Sequence, residues 1–275
     1  MKSNYRYIVK AFMAMAVIAG TTSCDDFLDR EPMSSISPET YYSTAAQLEA
    51  NLNDEYPNVL PSFGQWTYGI FGEDKGTDNQ IEVNANDRYT QDRWKVPHSE
   101  SDNWKFERIY RINFFLSEAL PKFGEDMSGS QNTISGSVAT IKHYIGEMYF
   151  LRAYEYFKKL QLFGDFPIIN QPLADEMEAL REASKRFPRN EVARFIISDL
   201  DKAYAYMSDV DMATTRINKD VAMLVKSRVA LFEATWLQNF KGTAFVPGGE
   251  GWPGASLHNN YQYPSGNIDN RSEER

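Results

Sequence analysis

Apolar residues recur at steps of three and four along much of this chain, the spacing of one helix face. The clearest run is Val138, Ile141, Ile145, Met148, Arg152, Tyr156, Leu160 and Phe163, stopped by Gly164-Asp165 and Pro167. A second runs Val192, Phe195, Ile196, Asp199, Leu200, Ala203 and Met207, with Asn190 as its expected N-cap. A third runs Val221, Leu224, Val225, Arg228, Phe232, Thr235 and Trp236 after the cap Asn218, and this stripe is the face expected to be buried. An earlier helix is predicted over 39–56, because Ser37-Pro38-Glu39 supplies a hydroxyl cap, a proline at the first helical position and an early acid. Pro57 and Pro61 should end it. Another begins near Trp104, with Ile109, Ile112, Phe115, Leu116 and Leu120 as its stripe. No run alternates apolar and polar residues as a half-buried strand does. The expected class is therefore mainly α, with antiparallel helices stacked on a shared core. Helix sizes suggest tetratricopeptide-like pairs, although no strict 34-residue repeat is visible.

Two stretches break the helical pattern. Residues 62–102 carry Gly64, Gly69, Gly72, Gly76 and Pro97 among many Asn, Asp and Gln. Trp66, Tyr68, Phe71, Tyr89 and Trp94 are scattered there without a helical period. A loop this long in a compact domain is usually functional or disordered, and the aromatics argue for order. Residues 245–275 form a second loop-rich stretch.

Composition narrows the chemistry. The 275 residues hold 29 Lys+Arg against 38 Asp+Glu, a formal charge of -9. A basic face for duplex nucleic acid is not expected. One cysteine excludes an intrachain disulfide and any multi-Cys metal cluster. His98, His143 and His258 lack metal-ligand spacing, so no metal or cofactor is assigned. No phosphate-binding Gly-rich loop or G-x-S-x-G elbow occurs. The acids Glu73, Asp74, Asp78, Glu82 and Asp87 offer oxygens for calcium, but not at EF-hand spacing.

The N-terminus reads as a sorting signal. Lys2, Arg6 and Lys10 precede the apolar run Ala11 to Gly20, which is too short to cross a bilayer. Thr21-Thr22-Ser23 then leads to Cys24 and two aspartates. This resembles a bacterial lipoprotein signal, which implies removal of residues 1–23 and lipid on Cys24; Thr21 departs from the usual Leu. The mature chain would carry 26 cations against 38 acids. Residues 24–36 would form a lipid-anchored tether, and residues 37–275 the helical body.

Five segments then fit one known pattern in order and spacing: CDDFLDREP at 24–32, YYSTAAQLEANLNDEY at 41–56, GEMYFLRAYEYFKKLQLFGDFPII at 146–169, FIISDLDKA at 195–203, and RINKDVAMLVKSRVALFEATW at 216–236. GTAFVPGGEGWPG at 242–254 fits as well. Together they resemble the N-terminal half of the SusD/RagB family of Bacteroidetes nutrient-binding lipoproteins. The resemblance implies a SusD-like α/α superhelix on the outer face of the outer membrane. It implies an oligosaccharide or related nutrient as ligand, a SusC-type TonB-dependent transporter as partner, and no enzymatic activity. Family members continue for about as long again, so the chain is expected to be a fragment whose C-terminal part is missing. Other readings are a helical adaptor that binds only protein, and a lipoprotein glycoside hydrolase.

Sugar rings pair apolar C–H faces with hydroxyl rims, which suits flat aromatics flanked by carboxamides and carboxylates. Trp66, Tyr68, Asp78, Asn79 and Trp94 are the residue types required, in a loop, and are the expected ligand contacts; each ring could equally pin the loop to the core. Trp104 is expected to pack at its helix start, and Trp252 fits either role. Arg152, Asp199 and Arg228 fall on apolar stripes. A buried charge needs a partner, so Asp199 should pair with Arg152 or with Arg228. Asp165 is expected to serve its Gly-Asp turn.

Overall fold

The computed structural model describes residues 41–61, 103–124, 126–208 and 212–264. Contacts divide the chain between Tyr41 and Tyr42, and every element below belongs to the second unit. Its architecture is mainly helical, and no strand occurs among the described residues; two isolated bridges, Thr44 to Ser135 and Phe166 to Phe187, are the exceptions to helix and turn.

Helix α1 spans Ala45–Val59. It starts later than the predicted position 39, because a local box supplies the cap. Gln47 donates its backbone N–H to the Thr44 hydroxyl at 3.3 Å, and its side-chain carbonyl accepts the Thr44 N–H at 3.0 Å. Residues 41–43 are turn. Pro57 lies inside the last turn and does not end the helix before Val59. Helix α2 spans Glu107–Phe123 and buries Ile109, Ile112, Phe115, Leu116 and Phe123.

Helix α3, Val138–Phe163, is the centre. The Ser137 hydroxyl accepts the Thr140 N–H, and Gly164 closes the other end at φ +68°. Its residues from Tyr144 to Ala153 are buried without a break, because α1, α2 and a later helix all lie against it. A helix covered on all sides must pair its charges, and Glu147 and Arg152 are paired with Arg216 and Asp199. After the short exposed helix α4 (Met177–Ala183), which the sequence pattern left as linker, comes α5 (Arg189–Tyr206). Arg152 meets Asp199 and Tyr156 meets Phe195, so α3 and α5 run antiparallel. They approach closely at Gly146. A Cβ there would sit 2.8 Å from the Met207 amide nitrogen and 2.9 Å from the Ala203 carbonyl oxygen. Asn190 is buried at the second helical position, and Pro188 holds the cap place assigned to it.

Helix α6, Lys219–Asn239, follows the cap Asn218, whose side-chain oxygen accepts the Val221 N–H at 3.0 Å. It runs antiparallel to α5. Its buried residues are Ala222, Val229, Glu233 and Leu237. Of the expected stripe, Val221, Leu224, Arg228 and Thr235 are exposed, Leu224 at 70%, whereas Val225, Phe232 and Trp236 are half-buried; Leu231, on the outward side as well, is 66% exposed. Apolar residues occupy two sides of this helix, and α5 covers one of them. Residues 240–264 are turns with one 3-10 segment, Pro253–Ser256. No helix among the described residues is long and apolar enough to cross a membrane.

Candidate functional site

Two buried arginine–carboxylate pairs organise the helices. The first is Arg152 with Asp199. Its Nε and Nη2 donate to the two carboxylate oxygens at 2.6 and 2.8 Å. Nη1 donates to the Asn113 side chain and to the Asn170 carbonyl, at 2.9 and 3.1 Å. One guanidinium thus joins α2, α3, α5 and the segment after α3. Arg228 takes no part: it sits exposed on the outward side of α6, facing away from α5. The choice between Arg152 and Arg228 is settled by which side of α6 is covered.

The second pair is Arg189 with Glu233, joining α5 to α6. Nε donates to Oε1 at 2.9 Å and Nη2 to Oε2 at 2.8 Å. Burial pushes the Glu233 carboxyl up, and the guanidinium pulls it back. The arginine stands 4.1 Å over the Trp236 ring. Its backbone N–H donates to Asp165 Oδ1 at 2.9 Å, while Trp252 Nε1 donates to Asp165 Oδ2 at 2.7 Å. Asp165 therefore does more than shape a turn: it fastens the 252 region to the start of α5. Burial raises its carboxyl above the usual range, opposed by these two donors.

The 240–264 segment is tied back along its length. Trp236 Nε1 donates to the Phe245 carbonyl at 3.1 Å, and Asn190 donates to the Tyr261 hydroxyl at 2.8 Å. His258 Nε2 lies 2.9 Å from the Arg186 carbonyl. Gly249 is required by a crossing of backbone on backbone, since a Cβ there would lie 1.8 Å from the Thr243 oxygen. Between this segment and the C-terminal end of α3 lies a cleft of about 490 Å³. Leu162, Phe163, Arg186, Trp236, Phe245 and Trp252 are among its walls. Phe245 is 62% exposed, whereas Trp252 is 5% exposed. Trp104 packs edge-on against Phe163 and Phe166 at 4.8 and 4.9 Å, and carries Arg186 on its ring at 4.6 Å.

This is an apolar cleft of ligand size with a few polar groups, the usual form of a small-ligand site. Asp165 is the one carboxylate among the described residues of its lining, and both its oxygens are engaged by donors. No group of three or more His, Cys, Asp or Glu placed to hold a metal ion occurs among the described residues.

The ligand contacts expected from the sequence, Trp66, Tyr68, Asp78, Asn79 and Trp94, lie outside the described residues, as do Cys24 and the acidic run from Glu73 to Asp87. Sequence reasoning missed Arg186, Arg189, Glu233 and Phe245. The one available signal was Glu233 inside an apolar helix, one position after Phe232.

Comparison with known proteins bears on identity. The family model SusD-like, described as starch-binding associating with outer membrane, matches residues 26–231. "SusD-like protein P2" of Formosa agariphila is 25% identical over 253 residues, covering 88% of this chain and 46% of the relative. "SusD-like protein P25" of the same organism is 25% identical, covering 78% and 41%. A solved SusD-like carbohydrate-binding protein from Bacteroides fragilis is 19% identical with TM-score 0.47, covering 73% of this chain and 40% of that one. A laminarin-binding SusD-like protein is 20% identical with TM-score 0.38, covering 48% and 26%. The chain spans less than half the length of the curated relatives it matches. By the extent of the family match, the chain belongs to the SusD-like family.

Proposed function

We propose that this chain is part of a cell-surface lipoprotein, anchored through Cys24 to the outer membrane, that captures an oligosaccharide and passes it to a SusC-type TonB-dependent transporter. Within the described residues, the cleft beside Phe245 is the glycan-contacting surface. The observation that carries this reading is the pairing of an exposed aromatic wall with the one lining carboxylate, Asp165, already engaged by two donors. A ring can lie on Phe245 and Leu162 while nothing in the cleft is poised to cleave it. Family membership and the name of the laminarin-binding relative support a glycan as ligand. Trp66, Tyr68, Asp78, Asn79 and Trp94 are proposed as further ligand contacts. Two or more acyl chains at Cys24 would give durable anchoring.

Titration calorimetry with maltoheptaose and with laminarin oligosaccharides tests the cleft. Phe245→Ala should weaken binding about tenfold, the scale of one aromatic contact plus its buried area. Unchanged affinity would remove the cleft from the reading. Metabolic labelling with a fatty acid tests Cys24, and co-purification with the adjacent transporter tests delivery.

The reading as a protein-only adaptor is favoured by one observation, the outward Leu224 and Leu231 on α6. Retention of a transporter with no glycan bound on any array would select it.

A further inference from the structure

Five arginines show how this fold treats guanidinium groups. Arg111, Arg152, Arg189 and Arg216 each make ion pairs with carboxylates. Arg186 does not. Among the described residues no carboxylate oxygen lies within 4.0 Å of it, and no acceptor takes any of its side-chain N–H groups. Its position is nonetheless built. Phe187 next to it is bridged to Phe166 by N–H···O contacts of 3.1 and 3.2 Å. Its own carbonyl faces His258 Nε2 at 2.9 Å. Its guanidinium lies over the Trp104 ring at 4.6 Å. Stacking uses the face of the group and leaves its edge donors available.

The nearby acid does not fill that role. Asp165 has its two oxygens turned to the Arg189 N–H and to Trp252 Nε1. Glu233 is consumed by Arg189. The cleft wall therefore carries an exposed guanidinium, stacked on Trp104 and without a hydrogen-bond acceptor among the described residues, beside an exposed phenyl ring in a chain of net charge -9. A planar fork held in place is complementary to a bidentate anion. A neutral sugar hydroxyl would use only part of it.

We infer that the cleft takes an acidic glycan, with Arg186 binding a carboxylate or sulfate ester on a sugar whose ring lies against Phe245. The inference rests on the cleft being the glycan-contacting surface. The net negative charge of the chain makes a local cation necessary for such a ligand, because long-range attraction is absent.

The test is titration of the full chain with hexagalacturonate, with the same oligosaccharide fully methyl-esterified, and with a sulfated galactose oligosaccharide. Esterification removes the charge and keeps the rings. An acidic ligand should bind about ten times more tightly than the ester at low salt, the range of a charge-assisted hydrogen bond. The preference should shrink as NaCl rises. Arg186→Gln should abolish the preference, and Arg186→Lys should restore part of it, with the far-ultraviolet circular dichroism spectrum unchanged. Phe245→Ala should weaken acid and ester alike. Preference for the uronate or for the sulfate decides which anion is the source, and either supports the inference. Equal binding of acid and ester, or a preference that survives Arg186→Gln, overturns it and leaves the cleft assignment standing. Failure of every glycan to bind, with Phe245→Ala silent, overturns both.

Discussion

Arg152–Asp199 and Arg189–Glu233 are the same fork-to-carboxylate contact placed in two settings. The first is sealed. Helices lie on every side, and the rings of Tyr149 and Phe195 each stand 5.3 Å from the guanidinium carbon. The second is as deeply buried, with Arg189 3% and Glu233 0% exposed, but lies against a cleft, with Trp236 over the guanidinium and Asp165 on the same residue's backbone. In the sealed site the pair holds helices in register. Beside the cleft it joins α5 to α6 behind Arg189, which lines the wall. Identical chemistry therefore does different work according to what lies on its open side.

Breaking the sealed pair should cost most. Arg152→Met leaves Asp199, which is fully buried, with Lys202 at 3.7 Å as its remaining cation. A loss of about 3–5 kcal/mol is expected in urea denaturation. The double change Arg152→Met with Asp199→Leu should recover much of it, because no orphan charge remains. Gly146→Ala tests the same interface without touching charge. Its methyl group would meet α5 backbone, and a loss of about 2–3 kcal/mol follows from overpacking. Glu233→Gln should cost about 2 kcal/mol, less than Arg152→Met because the amide oxygen still accepts from Arg189 and no carboxylate is left unpaired.

The smallest effect is a pH dependence. Burial raises the Asp165 carboxyl above its ordinary 3.8. Between that value and the raised one, the folded chain keeps a proton that the unfolded chain has released, so stability falls as pH rises through the window. Trp252→Phe removes a donor that holds this carboxyl down, and widens the window. The melting temperature of the variant should drop further below that of the parent at pH 7 than at about pH 4, with a difference near 1 kcal/mol. Equal gaps at both pH values would show that the indole N–H does not act on Asp165.

The sequence was most legible where one residue type had one reason to be present. Gly164 marks the end of α3 because a positive-φ stop is a local requirement, whereas the cap Ser137 was not singled out. Asn218 marks the start of α6 because a side-chain cap is a local requirement too. At α1 two start signals compete, and the Thr44–Gln47 box takes precedence over Ser37-Pro38 as the cap of the described helix. The buried side of α6 was not legible. Leu224 and Leu231 form as good a stripe as Ala222 and Val229, and a neighbour encoded elsewhere selects between them. The cleft was less legible still. Asp165 and Trp252 are 87 positions apart, and Arg189 and Glu233 are 44 apart. No periodicity links such pairs; only folding brings them into contact.

One consequence follows from the crossing at Gly249. Because main chain rests on main chain there, the frame of the 240–264 segment owes little to the side chains that look outward from it. Phe245 and Leu257 can be exchanged without dismantling their support. A scaffold of this kind lets selection revise what a surface presents while leaving the architecture intact, and under the proposed glycan-binding role residues 245 and 257 are where related chains should diverge first.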